Sequence, residues 1–282
     1  MIDYVIRGTK RFAVLIPGII IAYFSVRNVF PYFDKRLPLT LAIFVTYVLG
    51  AYVLIPALTR VIRIFLPARH LPVYCVTPDG FASDPINIGV IGSKQDLVAA
   101  MEAAGWYLAD DYSPYNILRA VISTIFLRRY PNAPMSRLYL FGRKQDIGFE
   151  IPISGEIGHR HHVRFWATTY DTDTPLSQKT IHWHRRTAEL EGPNLLWLGA
   201  ASRDVGLSFI RHNAQMTHMI HHDTDAERQL IVDGIRRAQL IGSTKAIRLG
   251  KPYRLVNRAW RGQLHSDGIL TVLKLKKKRR NR

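Results

Sequence analysis

Residues 39–58, LTLAIFVTYVLGAYVLIPAL, form a stretch of 20 residues without a single charged side chain. At the rise of an α-helix, 20 residues extend about 30 Å, which matches the hydrocarbon thickness of a bilayer. The stretch therefore predicts a membrane-spanning helix. From residue 70 onward the sequence mixes polar and apolar residues and has its own turn signals, which indicates a globular domain attached to the membrane segment.

A second, shorter apolar segment lies upstream. Residues 12–26, FAVLIPGIIIAYFSV, must continue to about residue 33 to span, which places the Arg27 guanidinium at the interface. Polar residues 34–36 and Pro38 favour a tight turn before the second span. The alternatives are a signal peptide or an interfacial helix, but no small-x-small cleavage site follows the apolar run. We expect a transmembrane helical hairpin, with helices at about 12–33 and 39–58, in a membrane anchor of residues 1–69.

The distribution of Lys and Arg predicts the orientation of this anchor. With two spans, the two flanks of the hairpin share one side and carry six basic residues, against three in the connecting loop. The positive-inside rule then places both termini in the cytoplasm and the protein in the inner membrane. If only the second segment spans, the same rule exports the domain. The single cysteine, Cys75, excludes an intramolecular disulfide and favours the cytoplasmic arrangement.

Positive charge is concentrated at the end of the sequence. The formal net charge is +18, and residues 274–282 (KLKKKRRNR) contain seven Lys and Arg and no acid. This density predicts a polybasic disordered tail, because like charges repel and bury no apolar area. We expect the tail to lie on acidic lipid, where each basic residue contributes about 1 kcal/mol. Nucleic acid is the less favoured partner, and both contacts would weaken with salt.

Residues 70–273 predict an α+β domain. Ser93 and Asp96 have the spacing of a capping box at the start of a helix, and Thr224 and Glu227 repeat that spacing before a second one. A third helical pattern covers residues 115–127. Strands are expected at 86–91, 161–168, 195–201 and 205–210, and a β-hairpin is expected from 137–141 and 147–151 around GRKQD. The pattern indicates a soluble domain with a largely antiparallel sheet and two to three helices.

Several well-known signatures do not occur in this sequence. It has no glycine-rich dinucleotide fingerprint, no Walker loop, no His-Glu-x-x-His and no Gly-x-Ser-x-Gly. These motifs carry nucleotide binding, zinc proteolysis and serine hydrolysis on their usual folds. The sequence therefore assigns no catalytic residue.

Residues 158–166, GHRHHVRFW, are the densest group of candidate functional side chains. Because side chains alternate along a strand, His159 and His161 share one face, and Arg160, His162 and Arg164 share the other. A His-x-His pair is typical of zinc sites, and a cationic stripe suits phosphate. The alternative is a strand whose basic side chains are simply solvated.

A second cluster, residues 217–228 (THMIHHDTDAER), lies at the predicted start of the last helix. Imidazole and carboxylate groups suit zinc, manganese or iron. The candidate metal ligands of the two clusters are His159, His161, His221, His222, Asp223 and Asp225. The candidate ligands for an anion are Arg160, His162, Arg164, His218 and Arg228. The acids have a simpler role as well, because carboxylates stabilise the positive end of a helix.

Several ordered motifs carry a family resemblance. They are residues 84–87 (DPIN), 92–97 (GSKQDL), 130–143 (YPNAPMSRLYLFGR), 160–166 (RHHVRFW), 196–201 (LWLGAA), His218 and 223–228 (DTDAER). Over about residues 72–242 this pattern resembles the LssY-type C-terminal domain family, named for a component of type I secretion. Relatives carry the domain behind DedA-type or phosphatidic-acid-phosphatase-type membrane modules, which implies lipid or envelope work but no particular reaction. The Pro-Ser-Gly-His phosphatase signature is absent here.

These observations lead to one leading expectation and two alternatives. The leading expectation is a membrane-anchored cytoplasmic protein that binds an anionic ligand, a lipid headgroup or a membrane protein partner in envelope or secretion processes. One alternative is a metal-dependent hydrolase of phosphoesters that uses a divalent metal held by the histidines and aspartates above. The other is an RNA-binding protein at the membrane surface that uses the tail and residues 185–186 (Arg-Arg).

Overall fold

The computed structural model describes residues 19–55, 57–58, 72–78, 80, 82–126, 128–153, 156–169, 192, 195–209, 216–256 and 263–276. The chain forms two compact units. The first comprises residues 1–67 and 77–81, and the second comprises residues 68–76 and 82–282. The beginning of the first predicted span, residues 185–186 and residues 277–282 of the predicted tail lie outside the described residues.

The residues of the first unit that the structure describes between 19 and 58 are mostly helical. Residues 19–24 are α-helical and continue into the π-helical segment Ser25–Val29 and then α1, Phe30–Asp34. After a turn, α2 covers Leu39–Val48 and continues as the π-helical segment Leu49–Leu54. The two helical stretches touch, because a Cβ at Gly50 would lie 3.2 Å from Ser25 Oγ.

No helix in the part of the chain that the structure describes is both long and apolar enough to cross a membrane. α2 has ten residues, and the π-helical segment after it has six. The spans predicted at 12–33 and 39–58 are therefore not confirmed as transmembrane helices.

Among the described elements, the second unit contains the strands and three further helices. The strands are β1 Tyr74–Val76, β2 Ala82–Pro85, β3 Ile88–Gly92, β4 Tyr107–Leu108, β5 Tyr139–Leu140, β6 Arg143–Lys144, β7 Ile147–Ile153, β8 Glu156–Thr169, β9 Leu195–Phe209, β10 Met216–Ile220, β11 Ile241–Arg248, β12 Tyr253–Val256, β13 Gln263–Ser266 and β14 Ile269–Leu275. The helices are α3 Lys94–Ala103, α4 Pro114–Ile125 and α5 Asp225–Arg237.

An eight-stranded sheet forms the centre of this unit. Its strand order is β11-β14-β3-β9-β8-β7-β4, and β10 pairs with β9 beside this path. β14 and β3 run parallel, and the other pairs in this sheet run antiparallel. The predicted α+β domain with a largely antiparallel sheet is therefore confirmed. β14 includes Lys274 and Leu275, which the sequence assigned to the tail.

Both faces of the central sheet are covered. Residues of α3 and α5 share a core with one face, and its members include Val90, Leu97, Phe165, Trp197 and Ile231. β1 and β5, which belong to a small sheet of order β2-β1-β5-β6, contribute to the core on the other face. Members of this second core include Cys75, Leu138, Trp166, Leu198 and Leu270. Polar side chains of the central strands are therefore buried, whichever face of the sheet they lie on.

The predicted hairpin between residues 137–141 and 147–151 is wrong. β5 pairs with β6, and β7 pairs instead with β8 and β4. The turn is shorter than expected because Phe141 and Gly142 both adopt positive φ, 54° and 80°. Two such residues in succession are typical of a tight two-residue hairpin turn.

The helix starts agree with the sequence at α3 and differ at α5. Ser93 and Asp96 form the predicted capping box. Thr224 makes no capping bond, and its hydroxyl donates instead to the carbonyl of His265. Asp223 Oδ1 accepts the backbone N–H groups of Asp225 and Ala226, so this carboxylate satisfies two of the free donors at the start of α5.

Candidate functional site

β8 directs its side chains alternately to the two faces of the sheet, as the sequence predicts. His161 lies on the face covered by α5, where its Nδ1 is 2.6 Å from Glu227 Oε2. Arg160, His162 and Arg164 lie on the opposite face and are 5%, 2% and 5% exposed. These three cationic side chains are therefore buried and are not a solvated stripe.

Carboxylates on neighbouring segments hold the buried cations. We call this group the charge network; its members are Asp84, Glu150, Arg160, His162, Arg164, Ser202 and Asp204. Arg160 donates from Nη1 to Glu150 Oε2 at 2.5 Å and from Nε to Asp204 Oδ2 at 3.3 Å. Arg164 donates from Nη1 to Asp84 Oδ2 at 2.9 Å. Charge-assisted hydrogen bonds of this kind are the strong ones in a protein interior.

His162 lies at the centre of the charge network. Its Nε2 is 2.8 Å from Ser202 Oγ and 3.4 Å from Asp84 Oδ2. Its Nδ1 is 3.5 Å from Asp204 Oδ2. A serine, a histidine and an aspartate in this order suggest nucleophilic catalysis. Ser202 is fully buried, however, so a substrate has no access to its hydroxyl.

Burial and ion pairing set the pKa values of the network in opposite directions. Burial raises the pKa of Glu150 to about 7, and the Arg160 charge offsets only part of this effect. Burial also acts against the charged form of Asp204, but His162, His218 and Arg160 outweigh it and lower its pKa. The pKa of Asp84 is lowered in the same way by His162 and Arg164, against burial.

The histidines of the network region also differ from each other. Burial works against protonation of His162, but the Asp204 charge and the contacts with the Asp204 and Asp84 carboxylates together outweigh it and raise the pKa of this imidazole. His218 lies at the margin of the network, with its Nδ1 3.5 Å from Asp204 Oδ2 and its side chain 30% exposed. Burial outweighs the Asp204 charge there and lowers the pKa of His218. The network therefore reaches solvent at a neutral imidazole.

The second cluster forms a separate site around the start of α5. The rings of His221 and His222 lie 4.2 Å apart, and His222 and His265 lie 5.9 Å apart. Ligand atoms of Asp223, Asp225 and His265 lie within 4.8 Å of one another. Asp223 and Asp225 are thus brought together as a candidate metal centre, with His265 of β13 in place of the histidines expected from the sequence.

The candidate metal ligands expected on β8 lie elsewhere. His161 pairs with Glu227 on the face of the sheet covered by α5. His159 lies opposite Val205 of β9 in the β8–β9 register. Among the described residues, neither histidine of β8 joins the cluster of Asp223, Asp225 and His265.

The two carboxylate oxygens of Asp225 at the candidate metal centre differ in their partners. Asp225 Oδ2 accepts the Asp267 N–H, but its buried Oδ1 has no hydrogen-bond partner and lies 3.4 Å from Arg228 Nη1. Arg228 itself is held by Asp267 through two hydrogen bonds of 2.9 and 2.8 Å. Burial and the Asp267 charge raise the pKa of Asp225. A cation would relieve this carboxylate, because oxygen and imidazole ligands suit divalent metals.

Sequence reasoning missed the partners of both sites. Asp84, Glu150 and Asp204 supply the carboxylates of the charge network, and His265 completes the second site. The two strands expected at 195–201 and 205–210 are one strand of 15 residues, β9, and Asp204 lies inside it. The signal that could have located Asp204 is cross-strand pairing, because Arg160 and Asp204 are direct partners in the β8–β9 register.

The fold and these two sites define an α+β domain with a buried charge network and a His/Asp cluster at the start of its last long helix. The model of the LssY C-terminus family matches residues 68–269, and the chain belongs to this family. No curated protein and no solved structure shows significant similarity to it.

Proposed function

We propose that the chain is a membrane-anchored LssY-type protein whose domain lies on the cytoplasmic side of the inner membrane and engages acidic lipid headgroups there, in envelope or secretion processes. The observation that carries the proposal is the distribution of side chains in the helical unit. Small residues are buried between its helices, and large apolar residues face outwards.

The inner side of these helices is built from small groups. Ser25, Ala42, Thr46, Gly50 and Ala51 are buried, together with Ile21. Thr46 satisfies its hydroxyl by donating to the Ala42 carbonyl at 2.7 Å. Small residues allow close helix approach where the surroundings are themselves apolar, which is the packing rule of membrane helices.

The outer side is the reverse of a water-facing helix surface. Large apolar residues that are at least 37% exposed include Ile19, Ile20, Tyr23, Phe24, Val26, Leu39, Leu41, Ile43, Phe44, Tyr47, Tyr52 and Val53. A contiguous exposed apolar surface of this kind marks contact with a membrane or a partner. Lipid is the partner that the uncharged stretch 39–58 favours, because its length matches the hydrocarbon core.

The distribution of charge along the chain supports a cytoplasmic domain and acidic lipid as its partner. The net charge is +18, and three basic residues each lie before and after the apolar region, at residues 7, 10 and 11 and at residues 60, 63 and 69. The charge network contributes little to this attraction, because its cations are matched by its own carboxylates. The anion-binding role predicted for Arg160, His162 and Arg164 stays a prediction. An anion would reach these side chains from solvent past His218, which is partly exposed.

The proposal is tested by extraction and protease access. Full-length protein is expected to stay in the membrane fraction after alkaline carbonate washing, and protease is expected to digest the domain only after spheroplasts are broken. Replacing Ile43 and Phe44 together by Asp should release the protein from the membrane, since each Asp in the hydrocarbon core costs up to about 3 kcal/mol when the helix inserts. Lys35→Gln, in the turn, is the matched control and should be retained. Release of the wild type, or digestion from outside, contradicts the proposal.

The second candidate function is a metal-dependent hydrolase of phosphoesters. The candidate metal centre of Asp223, Asp225 and His265 favours it, because two carboxylates and one imidazole converge there. One of the carboxylate oxygens, Asp225 Oδ1, is buried without a hydrogen bond. Such a metal would polarise a phosphoryl oxygen or activate water.

Metal binding is expected to raise the melting temperature of the full-length protein. At a free Mn²⁺ or Zn²⁺ concentration of 100 times Kd, the stabilisation is about 2.7 kcal/mol. Asp225→Asn should abolish the increase, whereas Asp233→Asn, on the exposed side of the same helix, should leave it intact. Purified protein without stoichiometric metal and without a metal-dependent change in melting temperature would remove this candidate.

A further inference from the structure

Helix α4 turns its apolar side away from the domain. Its outward side chains are Tyr115, Leu118, Val121, Ile122, Ile125 and the following Phe126, which are 40–74% exposed. The positions 118, 121, 122 and 125 follow the i, i+3, i+4, i+7 spacing of one helix face. Ser123, on the other side, is buried.

This arrangement inverts the usual design of a surface helix. A helix at the edge of a water-soluble core normally buries its apolar stripe and exposes its polar one. In α4 the residues that are at least half-buried are Asn116, Ile117, Ala120 and Ser123, of which two are polar. The apolar face is thus available for a partner and is not needed by the core of the domain.

Aromatic and basic side chains are exposed on the segments that precede and follow this helix. Tyr107 and Tyr112 are 47% and 44% exposed, and the Arg137 guanidinium lies 4.8 Å from the centre of the Tyr112 ring. At the other end of the helix, the Arg128 guanidinium lies 5.9 Å from the Phe126 ring. Apolar residues bordered by tyrosine and arginine are typical of a helix that lies in the interface of a bilayer.

We infer that the apolar face of α4 inserts into the interfacial layer of a bilayer that contains acidic lipid, and so docks the domain on the membrane. The inference rests on the proposed membrane anchor. The 13 residues between 58 and 72 span at most about 45 Å even when fully extended, which keeps the domain within reach of the anchored bilayer. Arg137 contacts Tyr112 just before the helix and Arg128 contacts Phe126 just after it, and both match acidic headgroups in charge.

A fluorescent label on the full-length protein tests this inference. Leu118→Cys is labelled with the environment-sensitive dye NBD and reconstituted into phosphatidylcholine vesicles containing phosphatidylglycerol. Cys75 is fully buried, so the introduced thiol takes the label. Thr124→Cys, an exposed position on a different side of α4, is the matched control.

The emission of the label at position 118 is expected to shift to shorter wavelength and to be quenched by doxyl-labelled lipid. The label at position 124 is expected to show neither effect. If the protein floats with the vesicles but position 118 stays unquenched and water-exposed, the inference fails and the membrane anchor stands. A blue shift at position 118 without lipid quenching also overturns it, because the face is then covered by protein. Protein that does not float with the vesicles overturns the anchor and this inference with it.

Discussion

Asp204→Ala is expected to lower the free energy of unfolding of the domain by about 3–5 kcal/mol, the cost of removing one partner from a buried ion pair. Asp204 is 3% exposed and contacts Arg160 at 3.3 Å and His162 at 3.5 Å. Without it, two cationic groups remain in a low-dielectric interior with fewer compensating charges. For a domain of this size the loss corresponds to a decrease in melting temperature of roughly 10 °C.

The measurement is thermal unfolding of the full-length protein followed by tryptophan fluorescence. Trp166 and Trp197 are fully buried in the two different cores, so their signals report both faces of the sheet. Asp233→Ala is the control, because Asp233 is 45% exposed and pairs only with Arg236 at the surface among the described ion pairs. Equal melting temperatures for the two variants would show that the charge network does not stabilise the fold.

The same carboxylates predict the pH dependence of stability. Folding lowers the pKa values of Asp84 and Asp204 below 3.8, so their contribution is complete above about pH 4 and is lost as the pH falls through the lower folded values. Folding raises the pKa of Glu150 from 4.5 to about 7, so its contribution is lost as the pH rises through that range. Asp204→Ala should flatten the acid limb of the stability curve and also reduce the loss of stability above pH 4.5, because the Asp204 charge helps to raise the pKa values of Glu150 and His162.

Local patterns predicted the parts of this domain that depend on near neighbours in sequence. Ser93 and Asp96 are three residues apart, and their capping box forms as expected. The alternation of β8 is equally local, because a strand has a period of two whatever surrounds it. It correctly separated His161 from Arg160, His162 and Arg164.

The sites depend on contacts that no local pattern specifies. Arg164 and Asp84 are 80 residues apart, and Arg160 and Asp204 are 44 residues apart. His265 joins Asp223 through a bridge between β13 and the residues before α5. From the sequence alone, the cationic side chains of β8 are therefore expected to bind an anion. In the structure, neighbouring segments supply carboxylates that already pair with them.

Gly199→Val is expected to be the most disruptive substitution in the apolar part of the sheet. Gly199 lies in β9 between β3 and β8, and a Cβ at this position would be only 2.6 Å from Phe165 Cε1. Ile88 is closer still on the same side. Overpacking of a dense core costs about 1–3 kcal/mol and occasionally more, and a β-branched side chain adds two further carbons to the clash.

The Gly199 prediction is checked by the same melting experiment with a double-mutant cycle. Gly250→Ala is the control, because its added Cβ would meet Val73 Cγ1 at 3.4 Å, an ordinary contact. Phe165→Leu removes the ring atoms nearest to Gly199, so Gly199→Val combined with Phe165→Leu should lose less stability than the sum of the two single variants. Strict additivity would mean that the ring is not what excludes a side chain at position 199. The close approach of β9 to this ring would then have no part in specifying glycine there.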